Sequence, residues 1–186
     1  MCLAIYKPAN STVSEDHLIC GWRHNPGGAG FAYVNKNKVE ISKGFMKLQE
    51  FLEAYRDAVH KNKKSPFLIH FRIPSMGHSG PDNTHPFQFK YGALIHNGTM
   101  YGTGASHGVG KSDTAMFAER YGDRLTYETV EKYKEDMNEA LSYNKVVLLY
   151  HDSRYQILNE KEGVWLKGAW FSNKFFLPAD ERAALT

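Results

Sequence analysis

Between residues 145 and 172 the chain carries three β-like runs, KVVLLYHD, YQILNE and VWLKGAWFS, separated only by short turns. Parallel neighbours need a crossover of a dozen or more residues, usually a helix, so these runs are expected to pair antiparallel. Earlier segments repeat the grouping. LAIY (3–6) reads as a short strand, GFAYV (30–34) and VEISKG (39–44) flank NKNK as a hairpin, and PFLIHFRI (66–73) and YGALIHNG (91–98) are joined by a Gly/Pro/Ser/Asn-rich loop. Helices fall between these groups. Ser14, Glu15 and Asp16 open one that runs to Pro26, and residues 48–60 place Leu48, Phe51, Leu52, Tyr55, Ala58 and Val59 at helical spacing. Two more are expected from Ser112 to about Tyr121 and from Tyr127 to about Ser142. Antiparallel groups interleaved with helices describe an α+β chain of layered sheets with helices outside.

The 186 residues suit one domain with its own core, and no repeat or linker divides them. At 42% hydrophobic and 23% charged the composition is that of an ordinary globular protein. The net charge is only +3 and the basic residues are scattered. KNKK (61–64) reads as a solvated helix end, so no nucleic-acid partner is expected. No apolar run approaches the roughly 20 residues that span a bilayer, and no secretory leader is evident, so neither a membrane nor export is expected. Two cysteines are too few for a disulfide framework, which makes a reducing, cytoplasmic setting the default. Cys20 reads as a small buried hydrophobe.

Two functional motifs invite a reading and lose it. ASHGVGKSD (105–113) nearly fits a phosphate-binding loop, with Lys111 as point charge, Ser112 on magnesium and Asp152 as a metal-holding partner. The preceding strand ends near Asn97, however, and the later strands lack the crossover helices of a parallel sheet. His70, His78, His85 and His96 crowd one region, but their spacings fit no familiar zinc pattern and they read as core or hydrogen-bonding histidines. Neither a metal nor a cofactor is expected.

Cys2 stands directly behind the methionine that opens the sequence. It reads either as an ordinary small residue starting a strand or, once Met1 is trimmed, as residue one of the working protein. Four ordered segments bear on that choice: Cys2 itself; NPGGAGFAYV (25–34); HFRIPSMGHSGPDNTHPF (70–87) with ALIHNG (93–98); and KSDTAMF (111–117). Together they resemble the glutaminase domain of class II glutamine amidotransferases, the N-terminal-nucleophile group. The likeness runs from residue 2 to about 120, and NTHPF followed by a strand into HNG is its most specific part.

The resemblance implies a single type 2 glutamine amidotransferase domain over 1–186, folded as a four-layer αββα sandwich of the N-terminal-nucleophile hydrolase kind. It implies that Cys2 attacks the side-chain amide of L-glutamine. Its freed α-amine, with an ordinary pKa near 8, serves as base. Asn97 and Gly98 match the oxyanion hole, Arg72 the residue that holds the α-carboxylate, and Asp113 the carboxylate that receives the α-ammonium. Ser75 falls where many relatives carry a substrate-contacting threonine. The sequence departs from the pattern at Gly27, where relatives often have Asp, at Met76, where a polar or small residue is usual, and at Ala115, where Glu would stand. The ammonia would pass to a synthetase on a separate protein, or the enzyme would be a plain amidase. Two other readings stay open: an N-terminal-cysteine amidohydrolase of another amide, for which Arg72 and Asp113 would have no use, and an idle binding module of the same fold.

Overall fold

The computed structural model describes residues 2–183; Met1, whose removal the nucleophile reading invokes, lies outside them. In chain order the elements are β1 (Leu3–Lys7), α1 (Glu15–His24), β2 (Ala29–Asn35), β3 (Lys38–Phe45), α2 (Leu48–Lys61), β4 (Phe67–Phe71), β5 (Phe87–Phe89) and β6 (Gly92–Asn97). Then follow α3 (Asp113–Tyr121), α4 (Tyr127–Lys132), α5 (Lys134–Leu141), β7 (Lys145–Tyr150), β8 (Tyr155–Leu158), β9 (Val164–Leu166), β10 (Ala169–Phe171) and α6 (Ala179–Ala183). Local chemistry sets many boundaries. Ser14, Ser112 and Thr126 each cap a helix by accepting a backbone N–H three residues on. Lys36 and Asn37, with φ of 48° and 57°, make the tight turn whose twist suits the β2–β3 hairpin.

The chain is an α+β protein with two antiparallel sheets, one of six strands in the order β3-β2-β4-β1-β10-β9 and one of four in the order β5-β6-β7-β8. Period-two alternation divides the strand residues between apolar clusters. Leu3, Ile5, Ile69 and Phe71 pack with Leu18 of α1 and Phe51 of α2. Ala4, Tyr6, Ala32 and Leu68 of the larger sheet form one cluster with Ala93, Ile95, Val147 and Leu149 of the smaller. Leu94, Val146 and Leu148 pack with Ala115 and Ala118 of α3 and Val130 of α4. Among the described residues no helix is long and apolar enough to cross a membrane.

Four expectations need correction. The helix expected over 127–142 is broken at Tyr133, whose φ of −109° and ψ of 21° leave the helical range for one residue. The last β-like run is a hairpin, turned at Lys167 and Gly168 with φ of 50° and 80°. The closing strands are also not all neighbours, because a 3₁₀ turn at Glu160–Glu162 carries the chain from β8 in the smaller sheet to β9 in the larger. The run expected over 66–73 stops at Phe71, which leaves Arg72 just past the ladder with its N–H on the Gly28 carbonyl at 2.8 Å.

Candidate active site

The register of β1 against β4 pairs Leu3 with Phe71, so one further step brings Cys2 beside Arg72. The Ile73 N–H donates to Cys2 Sγ at 3.3 Å, and Sγ donates to the Ile73 carbonyl at 3.5 Å. Asn173, just past β10, donates through Nδ2 to the Cys2 carbonyl at 2.9 Å. Burial pushes the Cys2 thiol pKa up, the Ile73 N–H and the Arg72 charge pull it down, and Asp113 pushes it up again. Arg72 is itself buried, which lowers its pKa, while Cys2 and Asp113 raise it. Cys2, Arg72 and Asp113 thus sit in one another's fields. The Arg72 fork donates to two loop carbonyls, Met76 at 2.8 Å and His78 at 3.2 Å, which leaves three of its five N–H donors for other partners.

Asp113 opens α3, but the capping role falls to Ser112, whose Oγ accepts the Ala115 N–H at 3.2 Å. The Asp113 carboxylate turns back. Oδ2 accepts the Met100 N–H at 2.7 Å and Oδ1 accepts the Thr114 N–H at 2.8 Å, with the Thr114 hydroxyl oxygen 3.3 Å from Oδ1. The carboxylate therefore fixes the chain leaving Gly98 to the start of α3.

Asn97 ends β6 on the face shared with Ala93 and Ile95, pointing to the larger sheet. Its Nδ2 donates to Ser172 Oγ at 2.8 Å, and the same oxygen accepts the Ala4 N–H at 3.0 Å. Asn97 Oδ1 is buried without a partner. Ser172 thus ties Asn97 to the strand that carries Cys2. Gly98 has φ of +146°, and a Cβ there would meet Asn144 Oδ1 at 2.0 Å. Only glycine fits the backbone at that point.

Each polar residue of the NTHPF stretch clips a different element. Asn83 donates to the His78 and Gly110 carbonyls at 3.1 and 2.8 Å and accepts the Ser112 N–H at 2.7 Å, so it joins the loop held by Arg72 to the residue before Asp113. Thr84 Oγ1 accepts the Gly44 N–H at 2.7 Å. His85 completes a sheet edge. Where β5 ends, His85 Nδ1 accepts the His96 N–H at 3.2 Å and His70 Nε2 donates to the His96 carbonyl at 2.9 Å, so two rings replace the missing strand.

Ser75 stands exposed on the loop that Arg72 holds, and its carbonyl accepts the His107 ring N–H at 2.5 Å. Two departures from the family pattern have physical reasons. A Cβ on Gly27 would lie 2.4 Å from Pro74 Cδ and 2.7 Å from the Arg72 carbonyl, so no larger side chain fits. Ala115 is buried in the apolar cluster under α3, where a glutamate would be unpaired.

No group of three or more His, Cys, Asp or Glu that could hold a metal is found among the described residues. The glycine-rich stretch before α3 makes no phosphate cradle. Fifteen residues (98–112) separate β6 from α3, the Ser112 N–H is spent on Asn83, and Lys111 pairs with Glu119. No protein-family model matches the chain, and no curated protein matches its sequence. Sequence reasoning missed Asn83, Asn144, Ser172 and Asn173. Asn83 lay inside the most specific motif; the other three carry no local signal, because their partners are far away in the chain.

Proposed function

We propose that this protein hydrolyses L-glutamine as a class II, N-terminal-nucleophile glutamine amidotransferase domain, and that its two sheets and flanking helices form the four-layer αββα sandwich of that group. The observation that carries the reading is that Cys2, Arg72 and Asp113, from three separate elements, come close enough for the Arg72 and Asp113 charges to act on the Cys2 thiol. An α-amino acid offers a carboxylate and an ammonium at one end, and Arg72 and Asp113 suit those two charges.

In this reading Met1 is removed and Cys2 Sγ attacks the glutamine Cδ. The thiol proton passes to the freed α-amine and then to the departing nitrogen, so ammonia leaves and a γ-glutamyl thioester remains. Water, deprotonated by the same amine, attacks the thioester, and glutamate departs with Sγ reprotonated. Burial favours the thiol over the thiolate at rest, which suits a proton removed only during attack. The Asn97 side-chain amide and the Gly98 N–H stabilise the tetrahedral oxygen, a contribution of about 2.7–4 kcal/mol per donor in such sites. Arg72 orients the α-carboxylate and Asp113 the α-ammonium, with Ser75 at the substrate's edge.

The test is the intact mass of the purified protein with and without a glutamine-analogue electrophile, together with glutamate release from glutamine. Loss of one methionine, one adduct on Cys2 and glutamate production are expected. A retained Met1 with no adduct and no glutamate sinks the reading.

A further inference from the structure

We propose that His96 is a positioning residue that holds the oxyanion-hole glycine at a fixed distance from the ammonium-binding carboxylate, and so sets the length of substrate the site accepts. This inference rests on the glutamine reading above.

The hydrogen bonds around His96 leave little freedom. Asn144 donates through both its backbone N–H and Nδ2 to the Leu141 carbonyl, at 3.0 and 2.8 Å. A carbonyl only accepts, so the other end of that amide is the oxygen, and Oδ1 faces His96 Nε2 at 2.9 Å. Nε2 therefore carries the proton. In the neutral ring, which burial favours, Nδ1 is then the acceptor, and it lies 2.9 Å from Thr114 Oγ1. The ring spans from Thr114, next to Asp113, to Asn144.

Asn144 is the wall on which Gly98 rests. A Cβ on Gly98 would fall 2.0 Å from Asn144 Oδ1 and 3.0 Å from His96 Nε2, so the Gly98 backbone lies against the hydrogen bond between them. Asn144 is further pinned by Asn159, whose Nδ2 donates to its carbonyl at 2.8 Å. His96 itself is held at both backbone atoms by His85 and His70. One ring thus joins two places that must sit a set distance apart: where the substrate's Cα is anchored and where its carbonyl oxygen is stabilised. In glutamine two methylene groups separate Cα from the amide carbon, and in asparagine one does. Loosening either end of the ring should blunt the discrimination between them.

The variants are Thr114→Val, which removes one end of the link, Asn144→Ala, which removes the other, and the double variant. Each is assayed with glutamine and asparagine. Thr114→Val should act chiefly on KM for glutamine and Asn144→Ala chiefly on kcat, each by about tenfold, as expected for the loss of one or two buried hydrogen bonds. In both, the preference for glutamine over asparagine should fall by about tenfold, within the range one methylene contributes. Thr114 and Asn144 have no hydrogen bond to each other, so a double variant less impaired than the product of the singles marks coupling through His96. Thr114→Ser should restore wild-type behaviour. A purely structural role would lower melting temperature and activity on both substrates together, without changing their ratio, and that result overturns the proposal. Should either variant fail to fold, the ring-nitrogen NMR shifts of His96 in the wild-type protein decide: a proton on Nδ1 rather than Nε2 overturns the proposal. If the wild-type protein releases no glutamate, the glutamine reading falls and this one with it. If the wild type is active and the substrate ratio does not move, this inference alone fails.

Discussion

Cys2 and Ile73 are hydrogen-bonded in both directions, the Ile73 N–H to Sγ at 3.3 Å and Sγ to the Ile73 carbonyl at 3.5 Å. A thiolate would keep the first contact but turn a bare lone pair on a carbonyl oxygen, so the pair holds the resting thiol and its proton must leave as attack begins. That places the demand on a nearby base, which in the N-terminal-nucleophile reading is the α-amine of Cys2 itself.

Blocking that amine is therefore the sharpest test. An N-terminal extension that leaves the thiol intact should abolish glutamine hydrolysis as fully as Cys2→Ala, while both proteins keep the wild-type circular dichroism spectrum. Cys2→Ser should still bind glutamine but turn over far more slowly, because the hydroxyl is the weaker nucleophile. Normal turnover by the extended protein would remove the amine from the mechanism.

The buried histidines make the fold acid-sensitive. Burial pulls His70 down to about 3 and also lowers His85 and His96. Below the unfolded value of about 6.5 the unfolded chain takes up protons that the folded one refuses, so stability is present above that pH and is lost as pH falls toward the folded values. Each histidine contributes a slope of at most roughly 1.4 kcal/mol per pH unit. Melting temperature should be flat near pH 7 and fall between pH 6.5 and 5, above the ordinary range of carboxylates. His70→Asn should flatten the fall. A melting temperature constant from pH 7 to 5 would contradict the argument.

Most helices and strands were legible because their signals are local: helices begin at Ser14 and Ser112, where they were expected to begin, and the β2–β3 turn lies where NKNK put it. The sheet to which a strand belongs was not legible. Nothing in YQILNE or VWLKGAWFS says that a 3₁₀ turn between them changes sheets, since both are short apolar runs of the same kind. The site divides in the same way. Cys2, Arg72, Asp113, Asn97 and Gly98 came from a pattern spread along the chain. Ser172 and Asn173 could not, because their work is done on residues 2 and 4, brought to them by the pairing of β10 with β1, and on residue 97, which comes from the other sheet.

Replacing Arg72 separates charge from geometry. Lysine keeps the cation but cannot bridge the Met76 and His78 carbonyls and still offer paired donors to a carboxylate. Arg72→Lys should raise KM for glutamine by about 10- to 100-fold, the loss of one or two charge-assisted hydrogen bonds. Steady-state kinetics check this, and an unchanged KM would detach Arg72 from the substrate.

Lys111 offers the converse test. Its Nζ pairs with Glu119 at 2.5 Å on an exposed face, and hydrolysis assigns it no role. Lys111→Ala should leave glutaminase activity within a few-fold. A micromolar nucleotide affinity, abolished by the same change, would revive the phosphate-loop reading.

In the glutaminase reading, Ser172 is the residue on which the oxyanion hole would turn. Its Oγ accepts the Ala4 N–H and so keeps its own proton to donate. In the observed rotamer it accepts from Asn97 Nδ2, and Asn97 Oδ1 has no partner although buried, an arrangement that costs free energy. Half a turn of the amide would give Oδ1 the Ser172 proton and release Nδ2, the donor a tetrahedral oxygen needs. Ser172 can hold either rotamer, and alanine can hold neither. Ser172→Ala should lower kcat by about tenfold with KM for glutamine nearly unchanged, since one oriented hydrogen bond is lost in the transition state and none from the amino-acid end. Asn97→Ala, which removes the donor outright, should cost about 10²–10³ in kcat. Both are measured by glutamate release, with melting temperature as the control for folding. An Asn97→Ala variant that turns over at the wild-type rate would exclude this amide from the oxyanion hole, and Ser172 would then be no more than a tie between the two sheets.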